Sequence, residues 1–279
     1  MSTRVRVDPT RFGPWALVTG ASSGIGLAFA RHLAASGINV ALAARRLSAL
    51  DEIGRELSTT HGIAHRTVAV DLTRPDHLAT VAEATADLDI GLVVSNAGDM
   101  HLGEFLAGSH DELLAELRIN AEAHLGLTHQ FGRSMARRGR GGIILVSSIA
   151  GVQPVPYIAN YSATKAYVLT LGEALHHELA PLGVAVTVLT PGATATPMMT
   201  RFGADQTPMG RMMMPADACA AEGLAALAAG RATRISGRMN RITVALTPRR
   251  ARIRMFGAMN RSMALRAVAA PDRTSGIHT

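Results

Sequence analysis

Ala16-Leu17-Val18-Thr19-Gly20-Ala21-Ser22-Ser23-Gly24-Ile25-Gly26 joins a short apolar run to three closely spaced glycines. The run is too short for a helix and has the character of a buried strand, whereas residues 27–36 carry a helix-like pattern closed by Gly37. Strand, glycine turn and helix in that order make a cradle for a pyrophosphate. Gly20 and Gly24 permit a tight turn, Gly26 permits close helix packing, and the helix start offers unpaired N–H groups and a positive dipole end. Ser22, Ser23 and Ile25 belong to the same turn, and the context favours a nucleotide site over an ordinary strand-to-helix connection.

Outward from this turn the same grammar repeats. Residues 40–44, 67–70, 90–94, 142–146 and 185–189 are five more apolar runs without strict polar alternation, separated by helix-length segments. Six buried strands alternating with helices predict an α/β fold of Rossmann type, a doubly wound parallel sheet with right-handed crossovers and ligands at the carboxyl ends of the strands. No composition break or internal repeat divides residues 10–230, so a single domain over 1–279 is expected, with two additions. These are a Met-rich segment at about 197–215 and an Arg-rich C-terminal extension from about 231 to 279.

Composition narrows the classes. With 279 residues, 48% apolar and 18% charged, the chain can bury a large core and is neither disordered nor low-complexity. The single cysteine, Cys219, allows no internal disulfide, and residues before Pro9 lack an apolar signal region, so a cytoplasmic setting is expected. The uncharged stretches 141–164 and 179–200 are broken by Pro154, Pro156, Pro181, Pro191 and Pro197, which suits strands and loops better than membrane spans. The net charge of +7 is concentrated in the tail: from Arg231 onward 11 Arg face one acid, about +10, which leaves residues 1–230 near −3. Without an aromatic-rich basic module, no nucleic-acid partner is expected. His61 and His65 have helical metal spacing, but Gly62 and Ile63 place a loop between them and no carboxylate motif accompanies them, so no metal is expected.

Two features carry chemistry. Arg45 and Arg46 stand at the end of the second strand, 19 residues beyond Gly26, where an acid would hold a ribose hydroxyl and repel a 2′-phosphate. A guanidinium there pairs with the phosphate and stacks on adenine, so NADP(H) is the expected cofactor, with Arg45 the first contact. Lysine occurs once in the chain, as Lys165, four residues after Tyr161. Chance alone would place a sole lysine four residues after one of three tyrosines in roughly 1% of cases. On a helix the two share a face, and the ammonium is expected to draw the phenol below its usual pKa of about 10.

Together these motifs resemble the short-chain dehydrogenase/reductase family over about residues 13–230, with the glycine signature TGxxxGxG in Thr19–Gly26 and YxxxK in Tyr161–Lys165. The resemblance implies that Tyr161 protonates a substrate carbonyl, that Lys165 binds the nicotinamide ribose, that Ser148 orients the substrate, and that Asn120 completes a catalytic tetrad through a proton-relay water. It also implies cofactor contacts from Asp71 and Leu72 after the third strand, from Asn96, Ala97 and Gly98 after the fourth, and from Pro191, Gly192, Thr194 and Thr196 after the sixth. Ser95 departs from the family's NNAG element. Ser147 is the lesser candidate beside Ser148, and Tyr157 and Tyr167 are expected to pack or line a pocket.

Met198, Met199, Met209, Met212, Met213 and Met214 fall where the family carries a mobile lid, and flexible thioethers suit a bulky apolar ligand. In the tail, Ile253, Phe256, Met259 and Met263 recur at helical spacing among Arg249, Arg250, Arg252, Arg254, Arg261 and Arg266. That pattern fits a basic amphipathic helix, for which peripheral contact with an anionic membrane, a second subunit and solvent all stay open. The expected function is an NADPH-dependent carbonyl reductase of an apolar ketone, long-chain 3-ketoacyl or steroid-like, working as a homodimer or homotetramer. The alternatives are an NADP-dependent alcohol dehydrogenase in the oxidative direction and a non-catalytic NADP-binding regulatory module.

Overall fold

The computed structural model describes residues 5–203, 210 and 213–269; Met209, Met212 and the side chain of Arg266 lie outside the described residues. In chain order the elements are α1 (Pro9–Phe12), β1 (Trp15–Thr19), α2 (Gly24–Ala35), β2 (Asn39–Ala44), α3 (Leu47–His61), β3 (His65–Ala69), α4 (His77–Ala84) and β4 (Ile90–Ser95). There follow α5 (His110–Leu117), a π turn (Arg118–Glu122), α6 (Ala123–Arg138), β5 (Gly141–Val146), a 3-10 turn (Ile149–Gly151), α7 (Ala159–Leu179) and β6 (Val184–Thr190). The chain continues through β7 (Thr194–Ala195), α8 (Pro197–Arg201), β8 (Met214–Pro215), α9 (Ala216–Ala228), β9 (Thr233–Ile235), α10 (Arg238–Leu246) and α11 (Arg249–Ala269).

Seven parallel strands form one sheet in the order β3-β2-β1-β4-β5-β6-β9, and β7 pairs with β8 as a small second sheet. The continuous apolar runs arise because both faces of the sheet are buried. Ala16 and Val18 of β1, Val40 and Leu42 of β2 and Leu92 and Val94 of β4 join one core with Phe29 and Leu33 of α2 and Leu224 of α9. Their alternates Leu17, Ala41, Ala43 and Val93 join a second core with Leu127 and Phe131 of α6 and Val168 of α7. The chain is thus doubly wound, as expected. Two departures from expectation exceed a one-residue shift of a strand end. The edge strand β3 begins two residues before the apolar run, because only one of its faces is well covered. The stretch from Arg231, expected as an addition, contributes β9, which pairs with Val188–Thr190 and completes the sheet.

The tail helix also departs from expectation. The side of α11 that carries Phe256, Gly257, Asn260 and Met263 seats on the protein itself. Asn260 Nδ2 donates to the Pro156 carbonyl at 3.3 Å, and an added Cβ on Gly257 would stand 3.0 Å from Pro156. Arg252, read from sequence as part of the charged face, is buried and donates to the Val244 carbonyl.

Candidate active site

The strand order reverses between β1 and β4, so their carboxyl ends open a crevice. Thr19 knits its floor: its hydroxyl accepts the N–H groups of Asn96 (2.9 Å) and Ala97 (3.1 Å), and Asn96 Nδ2 donates to its carbonyl at 2.9 Å. Gly20 and Gly24 turn at φ of +67° and +56°, where a side chain is disfavoured. Gly26 is fixed by space, since an added Cβ would lie 2.3 Å from the Gly20 carbonyl oxygen. α2 starts at Gly24 with no side-chain cap from Ser23, which leaves first-turn N–H groups for an anion. Ser22 and Ile25 are half-buried in the same turn.

The loop after β6 meets this turn. The Cβ position of Gly24 is 3.1 Å from Thr196 Cγ2, and Thr194 Oγ1 donates to the Gly192 carbonyl at 3.0 Å. Pro191 accepts the Ile149 N–H at 2.8 Å, tying the loop to the turn that follows β5. At the far end Arg45 stands exposed beyond β2, and its charge reaches Asp71 beyond β3, beside buried Leu72. Burial works to raise the Asp71 carboxyl. The Thr73 N–H and hydroxyl, at 3.0 and 2.8 Å, together with Arg45 and Arg74, hold it below the usual range. The glycine turn, the exposed guanidinium and the 191–196 loop could therefore hold a dinucleotide along the strand ends.

The candidate reacting groups lie on the other side of the crevice. Ser148 caps the 3-10 turn after β5, its Oγ accepting the Ala150 N–H at 3.1 Å. Tyr161 and Lys165 are one turn apart on α7, with Lys165 Nζ 5.7 Å from the Tyr161 ring centroid and donating to the Val146 carbonyl at 3.0 Å. Asn120 sits in the π turn, fully buried; its Nδ2 donates to the Asp99 carbonyl at 2.7 Å and its Oδ1 accepts the Asp99 N–H at 3.1 Å. Such a widened turn recurs at functional sites. Gly98 lets these groups converge, because its Cβ position is 2.7 Å from Asn120 Oδ1 and 3.2 Å from Lys165 Nζ. Ser147 does something different: its hydroxyl donates to the Lys165 carbonyl at 2.7 Å and anchors α7 on β5.

One electrostatic expectation is corrected. Burial pushes the Tyr161 phenol up to about 12, a hydrogen bond with Ser148 opposes the rise, and the charges of Glu116 and Asp99 add to it. Burial likewise pushes the Lys165 ammonium down to about 8, against the pull of Glu116. Lys165 lies over the ring face while donating to a backbone carbonyl, and burial of the phenol works against its ionisation.

Around Tyr161, Met100, Leu102 and Phe256 pack on Ala150, Val155 and Ile158 as an apolar wall. Tyr157 supports it from the left-handed region, at φ 68°, with its carbonyl accepting the Gly103 N–H at 2.9 Å. Met198 and Met199 lie on α8, whose last residue, Arg201, bonds Asp99 and so joins this segment to the loop after β4. Glu116 and Asn160 were not singled out in the sequence; Phe256 entered only through the tail's helical spacing and Thr19 only as the first residue of the glycine signature.

Known proteins resemble this chain in sequence and in fold. The short chain dehydrogenase family model matches residues 14–207. A 7beta-hydroxysteroid dehydrogenase of Collinsella aerofaciens is 33% identical over 189 residues, 68% of this chain and 72% of that protein. A very-long-chain 3-oxoacyl-CoA reductase of Neurospora crassa is 38% identical over 179 residues, 62% of this chain but only 54% of that longer protein. The solved structure of a short-chain dehydrogenase from Sphingobium yanoikuyae in complex with NADPH superposes with a TM-score of 0.76 at 28% identity, covering 95% of this chain and 98% of the other. With seven parallel strands, a glycine turn at the strand reversal and Ser148, Tyr161 and Lys165 gathered beside it, the chain belongs to the short-chain dehydrogenase family of oxidoreductases.

Proposed function

We propose that this chain is an NADPH-dependent reductase of apolar ketones with long-chain 3-ketoacyl or steroid-like bulk. One observation carries the proposal: Tyr161 is kept protonated by burial, is hydrogen-bonded to Ser148, and stands in a wall of Met100, Leu102, Val155, Ile158 and Phe256. Such a wall favours an apolar body, while the two hydroxyls converge on one oxygen. Relatives that act on hydroxysteroids and long-chain 3-oxoacyl thioesters support the same class. Exposed Arg45 supports the phosphorylated cofactor by charge and by shape.

Bound NADPH would supply the hydride. Ser148 Oγ then orients the carbonyl oxygen, the Tyr161 hydroxyl gives it a proton, and the Lys165 ammonium stabilises the phenolate left behind. Asn120 holds the Asp99 backbone in place beside Lys165. Oxidation of an alcohol uses the same groups in reverse, so cofactor poise separates the two directions, and exposed Arg45, by favouring NADPH, supports reduction. A regulatory module would not need this pair.

Exposed Leu125 on α6 and Tyr167 on α7 offer apolar surface to a homodimer or homotetramer. Among the described residues no helix is long and apolar enough to cross a membrane. Peripheral contact would use Met239, Ile242 and Leu246, exposed along one side of α10 next to Arg249 and Arg250, because the apolar side of α11 is taken up internally. The deciding experiment follows NADPH and NADH oxidation across ketones and 3-ketoacyl thioesters of graded size, with Tyr161→Phe as control. Turnover that grows with apolar bulk and vanishes in the variant is expected; turnover confined to small polar carbonyls would refute the substrate class.

A further inference from the structure

Glu116, on α5, is the only buried acidic side chain among the described residues, and no Lys or Arg forms a salt bridge with it there. A carboxylate desolvated in this way is costly unless hydrogen bonds hold it. Both oxygens are held. Oε1 accepts the backbone N–H of His101 at 3.1 Å, and Oε2 accepts Asn160 Nδ2 at 2.6 Å. Asn160 Nδ2 also reaches the Leu113 carbonyl at 3.0 Å. Glu116 thus joins three segments: α5 itself, the loop after β4 that carries Met100 and Leu102 into the apolar wall, and the first turn of α7, where the next residue is Tyr161.

We propose that Glu116 is a positioning residue for the Tyr161–Lys165 pair, clamping the substrate-side loop to the start of the catalytic helix and setting a fixed negative charge beside the two reacting groups. The inference rests on the reading of that pair as the site of proton transfer. Other charged or titratable groups face the pair from each neighbouring element. Asp99 comes from the loop after β4 and is itself bonded to Arg201 of α8; His101 comes from the same loop; His124 comes from α6 and accordingly feels the charge of Lys165. Glu116 differs from Asp99 in acting on both members. Its charge favours the protonated phenol and is the one influence opposing the burial that drives Lys165 down to about 8. The charge keeps the cation that stabilises the phenolate protonated, while making the phenol itself a weaker acid.

The test deletes the charge and keeps the shape. In Glu116→Gln the amide oxygen can still accept the His101 N–H. The alkaline limb of the kcat/KM profile for NADPH-dependent reduction, expected near 8 in the parent protein, moves to lower pH. The shift is roughly 0.8 to 1.2 pH units, the size a unit charge produces across about 10–15 Å at an effective dielectric of about 20. Glu116→Asp keeps the charge and shortens the clamp, so its limb stays at the parental pH while KM for bulky ketones rises. A Glu116→Gln profile that coincides with the parent, or a Glu116→Asp limb that shifts as far as the Gln limb, overturns the proposal. Tyrosinate absorbance, taken as the difference between each protein and its Tyr161→Phe counterpart, gives a readout without turnover: onset at lower pH in Glu116→Gln supports the charge effect, and an unchanged onset refutes it. If the parent protein reduces no carbonyl in the panel, the proposed function fails, and this titration still decides the role of Glu116.

Discussion

Asn120→Ala tests how firmly the π turn holds the loop after β4. The side chain is fully buried and makes two hydrogen bonds to one residue, donating to the Asp99 carbonyl at 2.7 Å and accepting its N–H at 3.1 Å. Truncation orphans both backbone groups, and an unpartnered buried group costs about 1–3 kcal/mol. Asp99 is only half-buried, so water repairs part of the loss and the low end applies, about 2 kcal/mol in all with a little more for the vacated volume. At about 2–4 °C per kcal/mol for a domain approaching this size, the melting midpoint should fall by roughly 5–10 °C. Asn120→Asp should cost more than the alanine variant at neutral pH. Its carboxylate still accepts the Asp99 N–H but opposes the Asp99 carbonyl oxygen, and it places a charge where no solvent reaches. Such a carboxyl has a raised folded-state pKa, so the deficit of the aspartate variant should shrink as pH falls and the acid form can donate. Scanning calorimetry at two pH values decides the matter. An alanine variant that melts within about 1 °C of the parent, or an aspartate variant milder than alanine at neutral pH, refutes the claim that these two bonds hold the loop.

Arg45→Ala should raise the KM for NADPH by roughly tenfold or more while changing that for NADH little, since one charge-assisted pair contributes about 1.5–3 kcal/mol and exposure reduces it; equal changes for both cofactors would remove the 2′-phosphate assignment. Phe256→Ala should lower kcat/KM for bulky ketones several-fold more than for small ones, because it opens the wall beside Tyr161; a uniform loss measured across the size series would make the residue a structural prop instead. His124 is buried against the Ala97 carbonyl with Nδ1 unpartnered, and burial, then the Lys165 charge, hold it well below its ordinary value. The unfolded state therefore binds the extra proton below about 6.5, so stability falls with pH there, and His124→Asn should flatten that slope in urea titrations at successive pH values.

The sheet was legible because its strands bury both faces, which leaves unbroken apolar runs such as 16–18, 40–44 and 92–94 that no helix of that length would need. The proximity of Tyr161 and Lys165 was legible because a sole lysine stands one helical turn from a tyrosine. β9 escaped because it is three half-buried residues, Thr-Arg-Ile, on a sheet edge, with the arginine held by Glu222 instead of announcing a strand. Glu116 and Asn260 escaped for a different reason. Their partners lie 44 and 104 residues away, and a carboxylate or an amide on a helix looks the same in sequence whether it meets water or another segment. The phenol was misjudged because spacing reveals the neighbouring charge but not the depth of burial, and burial dominates.

In the tail a local pattern mimics a free surface. Helical spacing of Phe256 and Met263 among arginines resembles an amphipathic helix awaiting a membrane, yet Phe256 contributes to the wall beside Tyr161, Met263 is buried and Arg252 bonds the Val244 carbonyl. Charge and inward packing are therefore carried by the same segment, and deleting the tail would remove the positive surface, Phe256 from the apolar cluster that includes Tyr161 and, with β9, one edge of the sheet. Lost liposome binding in such a truncation would say nothing about charge. The informative perturbation is Arg249→Gln with Arg250→Gln and Arg254→Gln, all exposed, so that the inward contacts of α11 persist. If an anionic surface is a partner, cosedimentation with vesicles of anionic lipid should weaken by roughly 1 kcal/mol per charge, about 100-fold in all, while ketone reduction in solution keeps its parental rate. Unchanged cosedimentation would assign the arginines to solvent or to a second subunit, and a parallel loss of reduction would mean that the outer face of α11 also shapes the pocket.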